Sequence, residues 1–389
     1  MYHFKSWKRL SGLALVALTL AVFSGTALGK GLPKVFEWTA YGVKSSGYAQ
    51  SVAIGNAISE DGYKLRVVPA KNDISRMLPL KTKRMDFSAM GVGAYMAQEG
   101  TLDFATQKWG PQPVRLLLCS WPDTNAVVST AADANILKAS DLRGKRVAWI
   151  VGSPALNTNV EANLAFGGLT WNDVVKVEVP GWGASMQGLV DGTIDAAFSV
   201  SDSSKLFELQ GSPRGLRFFP LPHNDKAGWA RLNKIAPWQV PSVGTVGAGV
   251  TKEKPLEGAT YGYPILISYD RVSDQANYEL TQLIHTRFDK FKGAHPSAPG
   301  WDIKRQNFSW IIPYHNGTIK YFKKIGVWND KHQKHNDNLV KRQKVLIATF
   351  DKALKAKGSA DDEAFTKYWM EQRFNALTKA GFDPVWGKE

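Results

Sequence analysis

The run Asp141-Leu142-Arg143-Gly144-Lys145-Arg146-Val147-Ala148-Trp149-Ile150-Val151-Gly152-Ser153-Pro154-Ala155, continued by Leu156-Asn157-Thr158-Asn159, decides the fold. A basic turn feeds an apolar segment over 147–151. A Gly-Ser-Pro corner then opens a helix with Leu156, Val160 and Leu164 at four-residue spacing. Strand, tight turn and helix follow one another. The first backbone N–H groups of such a helix have no partners, so with the Ser153, Asn157 and Thr158 side chains they are predicted to receive a carboxylate or phosphate. Downstream, residues 182–190 read as a second helix with Met186, Leu189 and Val190 on one face and Gly192 as its stop. Residues 194–198 read as the next strand. The layout is βαβ around an anion-sized pocket.

The same pattern occurs earlier in the chain. Residues 35–41 are strand-like and run through Gly42-Val43-Lys44-Ser45-Ser46-Gly47-Tyr48 into a helical face of Ala49, Val52, Ala53 and Ala57. A second strand is predicted at 64–68, with Asn72-Asp73 capping a short helix that Pro79 should end or kink. Residues 86–91 give a third strand closing on Gly91. Residues 114–120 give a fourth, apolar in its centre as parallel strands covered on both faces tend to be. Arg84-Met85-Asp86-Phe87-Ser88-Ala89-Met90 corresponds in style to Thr193-Ile194-Asp195-Ala196-Ala197-Phe198-Ser199, each an acidic residue leading a strand that ends in small or hydroxyl residues. Two similar α/β lobes follow, with residues 125–129 leaving the first and 263–268 returning to it. Two crossing strands make a hinge, and ligands of open α/β sheets sit beyond the carboxyl ends of the strands.

With 389 residues, 44% hydrophobic content and 21% charge, the chain has the composition of a soluble globular protein large enough for two domains. Residues 1–29 read as a secretory signal: Lys5, Lys8 and Arg9 precede an apolar run over 10–23, and small residues around Ala27 offer a cleavage site. The run is shorter than the roughly 18 to 20 residues a membrane span needs. Cys119 is the single cysteine, so an intramolecular disulfide is impossible and no cysteine near the cleavage site could carry a lipid. Its apolar surroundings mark it as a small buried hydrophobe. The formal net charge of +15 includes three basic residues in the leader, leaving +12 for the exported chain and favouring acidic ligands or partners.

Ser45-Ser46-Gly47-Tyr48, the turn 141–147, Gly152-Ser153, Asp191-Gly192-Thr193-Ile194-Asp195-Ala196-Ala197-Phe198 and Pro313-Tyr314-His315-Asn316-Gly317, in this order and spacing, resemble the TAXI family of TRAP-transporter solute-binding proteins over roughly residues 35 to 328. The resemblance implies a two-lobed periplasmic-binding-protein fold of type II-like α/β architecture with two crossing hinge strands. Lobe 1 is expected over 30–127 plus 263–328 and lobe 2 over 128–262, while residues 329–389 extend past the family's usual end and are expected to be helical. It also implies a protein of the periplasm that binds a small carboxylate, an organic acid or an amino acid such as glutamate, and delivers it to TRAP transporter membrane subunits; a monomer is expected. Where the family commonly has Gly-Thr-Gly-Ser-Thr-Gly-Gly, this chain places Lys44 beside the ligand, and Ala70-Lys71-Asn72-Asp73 replaces a Gly-Gly-Ser run. A binding protein of an ABC importer, and a periplasmic enzyme on the same lobes, are the alternatives.

The candidate ligand-binding residues are Lys44, Ser45, Ser46, Tyr48, Asn72, Asp73, Gly91, Ser153, Asn157, Thr158 and Trp182. The serines and threonine can cap helices and touch a ligand at once. Lys44 would offset a carboxylate, and Tyr48 or Trp182 would supply an apolar wall. No catalytic residue, metal or cofactor is expected. His332 and His335 stand three residues apart on a polar segment and read as a solvated face rather than a metal site. No Gly-x-Ser-x-Gly elbow or Walker loop occurs. Lysines spread along an exported chain argue against nucleic acid. In the extension, Leu339, Val340, Ile347, Phe350 and Leu354 suggest one amphipathic helix and Phe365, Tyr368, Trp369, Phe374 and Leu377 another, packing on a lobe or, as the alternative, forming a permease or dimer contact.

Overall fold

The computed structural model describes residues 30–358 and 360–386, so the expected leader at 1–29 lies outside the described residues. The chain opens with β1 (Val35–Ala40), α1 (Ser46–Ser59), β2 (Lys64–Pro69), α2 (Asp73–Lys81), β3 (Phe87–Met90), α3 (Gly93–Glu99) and β4 (Val114–Cys119). It then builds a second unit from β5 (Ala126–Ala131), β6 (Arg146–Ile150), α4 (Pro154–Phe166), β7 (Val175–Val179), α5 (Trp182–Asp191), β8 (Ala196–Val200), α6 (Ser204–Gln210), β9 (Leu216–Phe218), α7 (Lys226–Ile235), β10 (Val240–Gly244) and β11 (Leu256–Thr260). It returns through β12 (Ile265–Tyr269), α8 (Asp274–Thr286), α9 (Phe288–Phe291) and α10 (Asn316–Lys324), and finishes with α11 (Asp330–Lys357) and α12 (Asp362–Lys379).

The two main sheets have orders β2-β1-β3-β12-β4 and β7-β6-β8-β5-β9. In each, three parallel strands are followed by one strand that runs antiparallel and has just crossed from the other lobe. The sequence echo between 84–90 and 193–199 therefore marks β3 and β8, which hold the same place in the two sheets. This is the two-lobed α/β arrangement with two crossings that the sequence led us to expect. β5 pairs with β8 and β9, so the outward crossing is already complete at Ala126 and lies over 120–125. β4 is covered on both faces, but its ladder partner is the antiparallel β12, because the returning strand inserts between β3 and β4. α2 runs two residues past Pro79, and Lys83, in a left-handed conformation (φ 59°), completes the turn away from it.

Local chemistry accounts for the elements that face the cleft. Ser45 caps α1 by accepting the Tyr48 N–H, and Asn72 and Ser75 exchange bonds in a capping box at the start of α2. Pro154 fits the first turn of α4, where its missing N–H costs nothing. Gly192 ends α5 with φ 81°, a conformation that disfavours a side chain.

The hairpin of α11 and α12 packs on lobe 1. Buried Glu99, at the end of α3, accepts from Arg342 Nε and Nη2 at 2.8 and 2.7 Å and from Arg373 Nη2 at 2.5 Å. Burial would raise the Glu99 carboxyl, but the hydrogen bond and charge of Arg342 with the charge of Arg373 hold it below the usual range. Beyond α12, the Trp386 ring lies 5.8 Å from Tyr95 of lobe 1 and 6.2 Å from Trp238 of lobe 2.

Candidate functional site

The carboxyl ends of the parallel strands in both lobes point at one another, so the turns after β1, β2 and β3 meet those after β6, β7 and β8. The lobes are in contact. Asp73 N–H donates to Gly152 O at 3.1 Å, Asn72 Nδ2 to Val151 O at 3.3 Å, Ser204 Oγ to Lys44 O at 2.7 Å and Ser46 Oγ to Asp202 Oδ2 at 3.2 Å. Gly152 (φ 69°) must lack a side chain here, since a Cβ would lie 2.6 Å from the Asn72 amide.

The start of α4, predicted to receive a ligand's carboxylate, is filled by the protein's own. Asp73 Oδ2 accepts the Ala155 N–H at 3.0 Å while its Oδ1 pairs with Arg76 Nη2 at 2.5 Å. Both side chains are essentially inaccessible. A buried carboxylate needs such partners, and the positive end of a helix together with a guanidinium provides them. Of the other residues expected around this helix start, Asn157 is committed too. Asn157 accepts from Ile150 N–H at 2.8 Å and donates back to Ile150 O at 2.9 Å, which fixes the strand-to-helix turn. Ser153 and Thr158 are buried, and the Ser153 hydroxyl has no hydrogen-bond partner.

Beside this junction the lobes enclose a cavity of about 420 Å³. Lobe 1 contributes Tyr41, Gly42, Val43, Lys44, Lys71 and Arg76; lobe 2 contributes Leu156, the turn from Pro180 to Ala184, and Lys205. Four lining residues are cationic, none is acidic, and the accessible wall is mainly apolar. Arg76 is neutralised by Asp73 and lies 3.8 Å from the centre of the Tyr41 ring, with its Nε unpartnered. Lys205 is tied to Gln187 Oε1 at 2.9 Å and Glu208 Oε2 at 2.7 Å. Lys44 and Lys71 remain as exposed cations at the rim. A second, inner hollow of 20 Å³ shares Tyr41, Leu156 and Trp182 and is closed by Ser45, Ser199, Ser203, Phe198, Tyr261 and Tyr263. Gly47 and Gly91 make room for these rings: a Cβ at either would come within 2.9 and 2.6 Å of Tyr263 and Tyr41 respectively.

Behind the inner hollow lies a buried polar cluster. Asp202 of lobe 2 accepts from Ser46 and Ser297 of lobe 1 and stands 3.6 Å from His295 Nδ1, while its Oδ1 has no partner. Burial pushes the Asp202 carboxyl above its ordinary value, opposed by the Ser297 bond and the charge of His295. Burial pulls His295 down, opposed by Asp202. The cluster has the residue types of a catalytic triad without its geometry. Both hydroxyls bond the carboxylate, and the Ser297 backbone N–H donates to the imidazole Nδ1 at 3.2 Å, so the Ser–His–Asp relay is not formed: neither hydroxyl meets Nδ1.

Of the sequence candidates, Lys44 and Trp182 line the larger cavity and Ser45 the inner one, where its oxygen also caps α1. Ser46, Asn72 and Asp73 join the lobes, and Gly91 lies beneath Tyr41. Tyr48 faces elsewhere: it lines a groove on the outside of lobe 1 with Val52, Tyr63 and Leu65. As the third residue of α1, it is turned away from the cleft. Tyr41, Arg76, Leu156, Tyr261, Tyr263 and Lys205 were missed. Asp73 and Arg76, three apart on a short helix, carried a readable signal, whereas the tyrosines read only as core. Among the described residues no cluster suited to a metal occurs; His332 completes the cap of α11, and His335 Nε2 lies 2.7 Å from Trp310 O.

The NMT1-like family matches residues 42–326. Among solved structures, the alkanesulfonate-binding protein SsuA from Xanthomonas axonopodis pv. citri, bound to MOPS, is 14% identical with a TM-score of 0.44, covering 80% of this chain and 85% of its own. PhnD1 from Prochlorococcus marinus, in complex with methylphosphonate, is 13% identical with a TM-score of 0.42, covering 76% of this chain and all of its own. An ancestral arginine-binding protein bound to arginine is 12% identical with a TM-score of 0.40, covering 69% and 99%. Likenesses this remote say nothing of what the present cleft holds.

Proposed function

This chain belongs to the NMT1-like family, and from that premise we propose that it is a periplasmic solute-binding protein that closes its lobes on a small organic anion and hands it to a membrane permease. The observation that carries this reading is the cavity of about 420 Å³ lined from both lobes, rich in cations and free of acidic lining residues. Pockets of this size suit small ligands. A solute touching both walls stabilises the closed form over the open one, which is how a binding protein signals occupancy to a transporter.

At the finer level, the order of the motifs shared with TAXI proteins supports delivery to TRAP-type membrane subunits and a carboxylate as the anion. Lys44 is proposed as its counter-charge, with Trp182 as an apolar wall and Ser45 at the inner end. Mass spectrometry of whatever the purified protein releases on unfolding, followed by titration calorimetry with the same compound, tests the reading. A protein that carries nothing and binds no organic acid would overturn it. Uptake by cells should collapse with the ion gradient; uptake that instead follows ATP would assign the partner to an ABC importer. Amino-terminal sequencing of the periplasmic form should begin near Lys30, and a start at Met1 would refute export.

A further inference from the structure

The cation-lined cleft described above is short of polar partners for a compact, highly polar solute. The start of α4 is occupied by Asp73. Arg76 and Lys205 are each balanced by an acid, Asp73 and Glu208. Two of the hydroxyls at the inner end are engaged within the protein: Ser199 donates to Val200 O at 3.3 Å, and Tyr261 accepts from Asn159 Nδ2 at 3.2 Å. What the walls of the larger cavity offer most is aromatic and aliphatic surface. Tyr41 and Trp182, from opposite lobes, line both hollows, with Leu156 beside them and Tyr263, Tyr261 and Phe198 further in. Trp182 is half-buried and Val43 at the rim is 62% exposed, so apolar surface remains uncovered in a chain whose other large side chains are mostly packed away.

Resting on the solute-binding reading, we propose that the ligand is an acid with a flat apolar body, such as an aromatic acid, rather than a compact dicarboxylate. Its body lies against Tyr41, Leu156 and Trp182, and its acid group reaches the rim cations Lys44 and Lys71. Each half of this arrangement follows from a cost. A dicarboxylate placed on these walls would exchange water for carbon at one end, and a buried charge without hydrogen bonds is strongly disfavoured. An aromatic ring placed there removes apolar area from water on both lobes at once, which closes the cleft as it binds. The rim lysines keep their contact with solvent, so they select for negative charge without demanding one fixed acid geometry.

The test is calorimetry on the full chain with four probes: indole-3-acetate, 2-naphthoate, succinate, and naphthalene-2-carboxamide as the uncharged counterpart. The aromatic acids should bind at least about tenfold tighter than succinate and than the amide. Trp182→Ala should weaken the aromatic acids by about ten- to a hundredfold, with Trp182→Phe recovering most of that loss. Lys44→Gln with Lys71→Gln should weaken the acids and flatten their salt dependence while leaving the amide unchanged. Circular dichroism and melting of each variant establish that it folds. If succinate binds as well as the aromatic acids, or Trp182→Ala leaves the aromatic acids unaffected, the inference is overturned while solute binding stands. If no acid of either kind binds, the inference falls together with the solute-binding reading.

Discussion

Replacing Asp73 by Asn separates the two tasks this side chain performs. Its bond to Arg76 lies within α2 and exists however the lobes stand, whereas its bond to the Ala155 N–H exists only when they meet. Removing one partner of a buried ion pair costs about 3 to 5 kcal/mol, which should appear as lost stability of lobe 1. The amide oxygen of Asn can still accept from Ala155, so the contact between lobes weakens only from a charge-assisted bond of ~1.5 to 3 kcal/mol to a neutral one of ~0.5 to 1.5 kcal/mol. The difference of about 1 to 1.5 kcal/mol shifts the balance between closed and open forms roughly tenfold toward open. A distance-reporting label pair, one on each lobe, measures that balance, and thermal melting measures the stability. Arg76→Gln is the companion: it should lower the melting temperature yet keep the lobes closer to their parental distribution, because Asp73 still meets α4. Should Asp73→Asn melt early with an unaltered lobe distribution, the carboxylate serves lobe 1 alone and the argument for a latch is refuted.

Three further outcomes follow from buried groups elsewhere. Asp202 keeps its proton to higher pH in the closed protein than when released, so its contribution to stability declines as pH rises from its ordinary 3.8 to its raised value and is level above. His295, held below its ordinary 6.5, acts oppositely and costs stability as pH falls beneath that value. Melting curves between about pH 4 and pH 7 should therefore show Asp202→Asn losing the first slope and keeping the second; a variant retaining both would rule out Asp202 as the source. Glu99→Gln leaves Arg342 and Arg373 buried without their anion and should cost ~3 to 5 kcal/mol, with limited proteolysis cutting first within α11 and α12. Gly110→Ala sets a Cβ 2.2 Å from the Phe350 ring at a residue with φ 65°, and should lower the denaturant midpoint by the equivalent of ~2 to 4 kcal/mol.

The lobes were legible because their signals are local. The apolar run before Gly152-Ser153-Pro154, the spacing of Leu156, Val160 and Leu164, and the glycine after residue 191 each lie within one window of sequence and become β6, α4 and the end of α5. The echo of 84–90 in 193–199 even gave equivalent positions in two sheets. The cleft was legible only where a residue serves its own turn, as Ser45 and Asn72 do. Asp73 meets Ala155 across 82 positions, Ser46 meets Asp202 across 156, and Glu99 meets Arg342 across 243. No window holds both partners. The expectation of a vacant helix start at 153–158 followed from α4 alone, and the acid that occupies it belongs to the other lobe. Tyr48 was misplaced for a related reason: proximity to Ser45-Ser46 in sequence says little about which side of α1 a ring takes.

The bonds that join the lobes link protein to protein and owe nothing to a solute. The inner hollow of 20 Å³ between Tyr41, Trp182 and Tyr263 has room for about one water, so nothing larger reaches it until those bonds break. Entry past Tyr41 and Trp182 to Tyr261 and Tyr263 is thereby given a speed limit. As solute concentration rises in a stopped-flow experiment, the observed rate should climb and then level off at the rate of lobe parting. That ceiling should be the same for every solute the cleft accepts, and a rate that keeps rising linearly would mean that the path inward is already open.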